Sequence, residues 1–169
     1  MSENRQLNDA LKNFAMPDYD QIPDVGLYLD QVARFINSFL GDFPEMQVTP
    51  SMISNYAKQK LIDRVNKKTY TRDQIAALIM IVLSKTVISI DHVRMMLSEL
   101  RGDSDSLRRP YCAYRDSLCD VLNSLSVNRG YQSPSARDER DMMIQNIVIA
   151  IGHKMYLERW FESLSDKEK

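Results

Sequence analysis

The sequence contains little cysteine, histidine or glycine, and each shortage argues against a class of chemistry. It has two Cys, two His and five isolated Gly in 169 residues. Cys112 and Cys119 are two helical turns apart, about 10 Å and too far for a disulfide, so we expect reduced, core-packed thiols. His92 and His153 lack the neighbouring ligands that a metal site needs. With no Gly-rich phosphate loop, we expect no metal, no cofactor and no enzymatic activity.

Long apolar runs and a strong net charge are also missing. The longest apolar run, residues 75–83, is far shorter than the roughly 20 residues of a membrane span, and the polar start has no signal core. We therefore expect a cytoplasmic protein. The formal charge of −1 hides an uneven distribution. Residues 1–45 carry −5, residues 46–101 carry +5 and residues 102–169 carry −1, so the middle of the chain is the part suited to a polyanion.

Helical patterns dominate the same middle region. Thr49 followed by Pro50 is a capping hydroxyl with proline in the first turn, which predicts a helix over 50–59. A capping box predicts a second helix over 71–85 that is apolar on nearly all sides, so we place it at the centre of the fold. Ser89 caps the next helix. The pattern is typical of an all-α protein.

Composition divides the chain into three segments. Residues 1–26 form an acidic segment with a short helix. Residues 27–101 form a helical unit that opens with an apolar stripe over 27–40. Residues 102–169 begin with a polar linker at 102–106. Two long apolar seams come after it, and we expect them to form a helix hairpin. The seams fit equally well an intramolecular core and a dimer interface.

A basic cluster accompanies the helix over 50–59. Six cations lie within fifteen residues and are offset only by Asp63: Lys58, Lys60, Arg64, Lys67, Lys68 and Arg72. Such a cluster suits phosphate contacts, because each neutralised phosphate releases counterions and strengthens binding. The alternative is a solvated lysine-rich loop, which charge alone favours.

Small polar residues occupy the predicted outer face of this helix. Ser51, Ser54 and Asn55 have the size needed to enter a major groove, and Asn can pair with adenine through two hydrogen bonds. Tyr56 and Tyr70 complete the candidate nucleic-acid-binding set as the aromatic residues that bracket the basic turn. Packing in the core or in the turn is the alternative role for these two tyrosines, and it is the commoner one for aromatic residues in such positions.

Two family resemblances rest on these residues. Residues 51–56 (SMISNY), 60–62 (KLI) and 70–75 (YTRDQI), followed by a helix that starts at Ser89, resemble the MerR-like regulators over about 50 residues. The resemblance implies a winged helix-turn-helix with the helix over 50–59 as recognition helix and residues 63–69 as a short basic wing.

A second resemblance covers most of residues 16–100. Residues 27–32 (LYLDQV), 52–56 (MISNY) and 67–72 (KKTYTR) resemble the bacterial family known as domain of unknown function 1836. That family is similar to MerR-like winged helices, so membership implies a DNA-binding fold without a known role.

Together these observations predict an all-α protein that consists of a MerR-like winged helix-turn-helix module and a C-terminal helical extension. The predicted function is transcription regulation by binding of double-stranded DNA, as a homodimer through the C-terminal helices. Two alternatives stay open. One is a protein–protein interaction module on a degenerate winged-helix scaffold, and the other is a small-ligand sensor.

Overall fold

A computed structural model describes residues 2–102, 104 and 106–165, so Asp103 and Asp105 of the predicted linker lie outside the described residues. The described chain is mostly helical, with one two-stranded sheet. Its elements are α1 (Ser2–Asn13), β1 (Leu27–Tyr28), α2 (Leu29–Asn37), α3 (Pro50–Lys58), β2 (Thr69–Tyr70), α4 (Arg72–Ser84), α5 (Ile90–Arg101), α6 (Arg108–Ser126) and α7 (Glu139–Ser165). Across these ranges no helix has the length and apolarity to cross a bilayer.

Helix α4 is the centre of the fold, as the all-round apolar pattern predicts. Every residue from Gln74 to Ser84 is buried. The predicted capping box is present, because Thr71 Oγ1 accepts from the Gln74 backbone N–H and Gln74 Oε1 accepts from that of Thr71. The Gln74 amide also donates to the carbonyls of Asp63 and Arg64 at 3.1 and 3.2 Å. The start of α4 therefore fixes the position of the predicted wing.

The prediction of one helix over 27–40 is wrong at both ends. Leu27 and Tyr28 form β1, which pairs antiparallel with β2, and α2 covers only Leu29–Asn37. Gly26 permits this pairing: its φ is +73°, and a Cβ there would lie 3.2 Å from Thr69. The helical stripe could not reveal a partner strand 42 positions away, whose backbone competes for the hydrogen bonds of Leu27 and Tyr28.

The connection between α2 and α3 is long but well fixed. It contains a 3₁₀ turn over Pro44–Met46 and buries Phe43 and Val48. The Asn37 side chain accepts from the Val48 N–H and donates to the Val48 carbonyl, both at 2.8 Å. This pair of hydrogen bonds sets the start of α3 against the end of α2.

The C-terminal helices do not form the expected hairpin. Ala113 of α6 and Ile144 of α7 line one cleft. Further along both helices, a Cβ on Gly152 would lie 2.4 Å from Val121 Cγ1. Both helices therefore run in the same direction, and residues 127–138 return along α6. A hairpin requires opposite directions, so that part of the fold prediction is wrong.

The core is continuous across all three predicted segments. Helix α1 packs against α6 and α7, and both of these contact α4. Tyr114 of α6 and Ser84 of α4 share a buried hydrogen bond of 2.8 Å between their hydroxyl oxygens. Helix α1 of the acidic N-terminal segment thus shares one core with the C-terminal region.

Candidate nucleic-acid interface

Helix α3 begins where the sequence predicts and packs its inner face into the core. Thr49 Oγ1 accepts a hydrogen bond from the Met52 N–H at 3.2 Å, and Pro50 occupies the first turn. Ile53 and Tyr56 are buried. The helix is therefore held on one side, and its other side faces solvent.

The solvent side of α3 carries the predicted polar residues. Ser51, Asn55 and Lys58 are exposed and follow one another at helical spacing, which places them on one face. Ser54 is half-buried at the edge of that face. This face presents hydroxyl, amide and ammonium groups without a large apolar side chain.

A lysine in a left-handed conformation ends α3. The N–H of Lys60 donates to the Ala57 carbonyl and that of Leu61 to the Tyr56 carbonyl, both at 3.0 Å. This pair of bonds is a Schellman motif, in which the residue at the Lys60 position is usually glycine. Here Lys60 takes the place of that glycine, with φ of 58°. Its side chain is exposed, as is that of Lys58 in the last turn of α3.

The predicted wing is a tight hairpin whose tip consists of two lysines. Asn66 and Thr69 form a bridge, and the Thr69 N–H donates to the Asn66 carbonyl at 3.2 Å. Lys67 and Lys68 between them have φ of 52° and 60°, which is the type I′ turn usually made by Asn-Gly. A non-glycine residue in this region costs about 1 kcal/mol or more. Such strain is found at functional sites more often than elsewhere.

A groove of about 670 Å³ lies between α3 and the wing. Five of the candidate residues line it: Ser54, Lys58, Lys60, Arg64 and Tyr70. Lys68 lines an adjoining groove that shares Val65 and Tyr70 with the first. We call the lining of these two grooves, which includes Lys58, Lys60, Arg64 and Lys68, the basic surface.

Two acids line this surface, Asp30 beside Lys68 and Asp63 beside Arg64, and among the described residues only Asp63 is compensated by an ion pair. Asp63 lines the groove, and its carboxylate lies 2.6 Å from Arg101 Nη1 of α5. Among the residues that the structure describes, five candidate cations have no carboxylate within 4 Å: Lys58, Lys60, Arg64, Lys67 and Lys68. We call these five residues the basic cluster. Their charge faces solvent with Asp63 already paired.

Three of the predicted site residues make contacts within the fold. Tyr56 and Tyr70 are only 6% and 5% exposed, so both take the core-packing role. Arg72 points away from the groove: its Nε donates to the Ile22 carbonyl at 2.8 Å, and its Nη1 lies 3.7 Å from the Asp20 carboxylate. The structure thus gives Arg72 other partners, because acids 48 and 52 positions earlier in the chain lie within 4 Å of its guanidinium.

Two cations that the motifs did not single out hold α3 in place. Lys85 of α4 donates from Nζ to Tyr56 Oη at 2.6 Å. Arg94 of α5 donates from Nη2 to the Gln59 carbonyl at 2.9 Å, at the end of α3. The only sequence signal for either was its place in the basic segment 46–101.

Two other kinds of site would be a metal centre and a reactive cysteine in the described part of the chain. No group of three His, Cys, Asp or Glu residues there is arranged to hold a metal ion. Burial raises the pKa of both the Cys112 and the Cys119 thiol. A raised pKa makes thiolate scarce, so neither cysteine is primed as a nucleophile.

Comparison with known proteins adds one match. A family model described as "Domain of unknown function (DUF1836)" matches residues 17–116. The match runs from the segment before β1 into α6 and includes the whole basic surface. No curated protein and no solved structure matches the chain.

Proposed function

The chain belongs to the DUF1836 family, and we propose that this member is a cytoplasmic transcription regulator that binds double-stranded DNA. In this proposal α2, α3 and the hairpin over 66–69 act as a MerR-like winged helix-turn-helix. Helix α3 enters the major groove, and the lysines of the wing contact the backbone beside it. The observation that carries the proposal is the basic cluster around the exposed polar face of α3.

The arrangement matches what duplex DNA demands of a protein. Phosphate contacts supply most of the affinity and position the protein, and base contacts supply the sequence preference. The basic cluster provides the first kind of contact. Asn55 and Ser51 are placed for the second kind, because they stand on the solvent side of a helix whose other side is anchored. The strained lysine turn at the wing tip supports the same role.

Charge reversal at the wing tests the proposal. We would measure binding of the full chain to a labelled random-sequence duplex by fluorescence anisotropy over a range of salt concentrations. The double variant Lys67→Glu/Lys68→Glu is the test. Arg5→Glu/Arg129→Glu is the matched control, since it changes the net charge equally on exposed residues of α1 and of the loop after α6.

We expect the wing variant to bind about 100-fold more weakly at moderate salt, because two phosphate contacts become repulsive. The control should lose much less affinity. Equal losses in the two variants would mean that only net charge matters, and undiminished binding in the wing variant would reject the interface. Circular dichroism of both variants checks that each is folded.

A protein partner is a second candidate, and the end of α7 favours it. Four apolar side chains there are exposed at positions i, i+3, i+4 and i+7: Leu157, Trp160, Phe161 and Leu164. This spacing forms a stripe typical of helix pairing. A second copy of the chain could cover this stripe with its own. The resulting dimer would have the two recognition helices of a dimeric regulator.

Sedimentation of the wild type and of Leu157→Glu/Phe161→Glu tests this pairing. A dimer that the variant converts to a monomer supports it. A wild-type monomer at high concentration contradicts the homodimer.

A further inference from the structure

A second group of cations surrounds Arg101, the residue that pairs with Asp63. Five arginines line a cleft of about 860 Å³ between the end of α5, the start of α6 and the start of α7: Arg101, Arg108, Arg109, Arg137 and Arg140. The described lining also includes two acids, Asp138 and Asp141. These arginines come from three separate parts of the chain, so no local pattern in the sequence groups them.

Like charges brought together need compensation, and three of the arginines have it. Arg101 is paired with Asp63, Arg108 with Asp20 and Arg137 with Asp141. Each pair has at least one exposed partner, so solvent screens all three, but Arg108 and Arg137 each bind their aspartate through two nitrogens. An incoming anion can therefore compete most readily for Arg101, whose pair with Asp63 uses one nitrogen.

The backbone makes room for one guanidinium. Gly102 has φ of +52°, and a Cβ at that position would lie 2.7 Å from Arg140 Nη2. A side chain at position 102 would push Arg140 out of the cleft or strain the backbone. The glycine thus allows the planar group to lie against the backbone while Arg140 lines the cleft.

The cleft also offers apolar surface. Leu100, Ala113 and Ile144 line it together with the arginines. Its volume falls in the range of small-molecule sites, which combine an apolar lining with a few polar anchors. Arginine is the side chain best suited to bidentate contacts with phosphate. We propose that this arginine cleft binds a phosphorylated small molecule whose remaining part contacts the apolar lining.

Such a ligand would act on the basic surface through one residue. Arg101 lines the arginine cleft, and the Asp63 that it holds lines the groove beside α3. A phosphate that attracts Arg101 leaves the Asp63 charge uncompensated among the basic cluster. The ligand would then weaken DNA binding, and this consequence rests on the proposed function. Binding of the ligand to the cleft does not depend on that function.

Calorimetry with inorganic pyrophosphate tests the site directly. The full chain, Arg109→Gln/Arg140→Gln and the control Arg129→Gln would be titrated at constant ionic strength. Arg109, Arg140 and Arg129 are exposed, so the folded state should survive in each variant. We expect the double variant to bind about tenfold more weakly, as for loss of charge-assisted hydrogen bonds, and the control to match the wild type. Absence of pyrophosphate binding, or an equal loss in the control, would overturn the proposal.

A second arm tests the coupling. Pyrophosphate should reduce the affinity of the wild type for a labelled duplex at constant ionic strength, and Asp63→Asn should bind pyrophosphate as before but lose that reduction. An equal reduction in both proteins would overturn the coupling. If Arg109→Gln/Arg140→Gln weakens duplex binding while no protein binds pyrophosphate, the cleft is part of the DNA surface and the ligand site is rejected. If no protein binds duplex, the proposed function fails and calorimetry still decides the ligand site.

Discussion

Lys85 of α4 donates a hydrogen bond from Nζ to Tyr56 Oη of α3 at 2.6 Å, and the same Nζ lies 5.4 Å from the centre of the Tyr56 ring. This contact joins the central helix to the inner face of the proposed recognition helix. The outward direction of the α3 polar face depends on such anchors and on the buried inner face of the helix, because Ser51, Asn55 and Lys58 themselves are exposed.

Loss of this contact should loosen α3. We expect Lys85→Met and Tyr56→Phe each to lower the free energy of unfolding by about 1–2 kcal/mol. Because both remove the same hydrogen bond, their double variant should cost less than the sum. Urea denaturation measures all three. Lys58→Met on the outer face is the control and should stay within about 0.5 kcal/mol of wild type; strictly additive losses would contradict the anchor.

The wing tip should show opposite effects on stability and on binding. Lys67→Asn/Lys68→Gly installs the residues that a type I′ turn prefers, so we expect the free energy of unfolding to rise by about 1 kcal/mol. The same change removes two cations from the basic cluster. We therefore expect weaker binding to a random-sequence duplex in a protein that is more stable than wild type.

Urea denaturation and fluorescence anisotropy on one protein preparation check both halves of this prediction. A stabilised variant with wild-type affinity would remove the wing from the interface. A destabilised variant would contradict the turn geometry.

Asn55 should affect sequence preference and little else. The side chain is exposed on α3, so Asn55→Ala should leave stability and random-duplex binding nearly unchanged. On a sequence selected by the wild-type protein, we expect a loss of about 1–3 kcal/mol, as for removal of a bidentate base contact. Asn146→Ala on α7 is the matched control. Equal affinity of wild type and Asn55→Ala for the selected sequence would exclude Asn55 from base contact.

The packing of α6 along α7 depends on Gly152. A methyl group there would lie 2.4 Å from Val121 Cγ1, so we expect Gly152→Ala to cost about 1–3 kcal/mol through overpacking. Val121→Ala should restore part of that loss, because it removes the atoms that clash. Thermal unfolding of the two single variants and the double variant measures the coupling. Wild-type stability in Gly152→Ala would mean that the two helices are not in this register.

Glu45 in the turn before α3 should give a pH-dependent effect. Burial, then the charges of Glu158 and Glu162, raise the pKa of its carboxyl. The folded state therefore holds this proton more tightly than the unfolded state, and stability falls as pH rises from the ordinary pKa through the folded one. Glu45→Gln removes that charge.

We expect Glu45→Gln to unfold at a higher urea concentration than wild type at pH 7, with the two proteins converging near pH 4. The gain should be only a few tenths of a kcal/mol, because solvent screens a partly exposed group. A Glu45→Gln protein that is less stable than wild type at pH 7 would contradict the expected destabilisation by the Glu45 charge.

Local signals in the sequence were enough to predict where three helices start and which helix is buried, because residues close in the chain determine these features. The hydroxyl of Thr49, the capping box of Thr71 and the cap at Ser89 each start the predicted helix. The apolar run after Gln74 correctly placed α4 in the centre. These predictions succeed because capping and burial periodicity act within four or five residues.

Contacts between distant residues were beyond the same reasoning. Arg72 was assigned to phosphate because nothing nearby reveals that Asp20 binds it. The direction of α7 against α6 depends on how residues 127–138 return, which no local pattern encodes. The sequence placed Lys67 and Lys68 at the tip of a turn, but their positive φ was hidden, because type I′ turns are recognised by Asn and Gly and this one has neither at positions 67 and 68.

The salt dependence of duplex binding tests the central claim most directly. If the basic cluster contacts five phosphates, the slope of log K against log salt concentration should be about −4.5 for the wild type and about −2.7 for Lys67→Asn/Lys68→Gly. Those two slopes, measured on one random-sequence duplex, would support a DNA interface on α3 and the wing. A slope near zero in the wild type, or the same slope in both proteins, would contradict it.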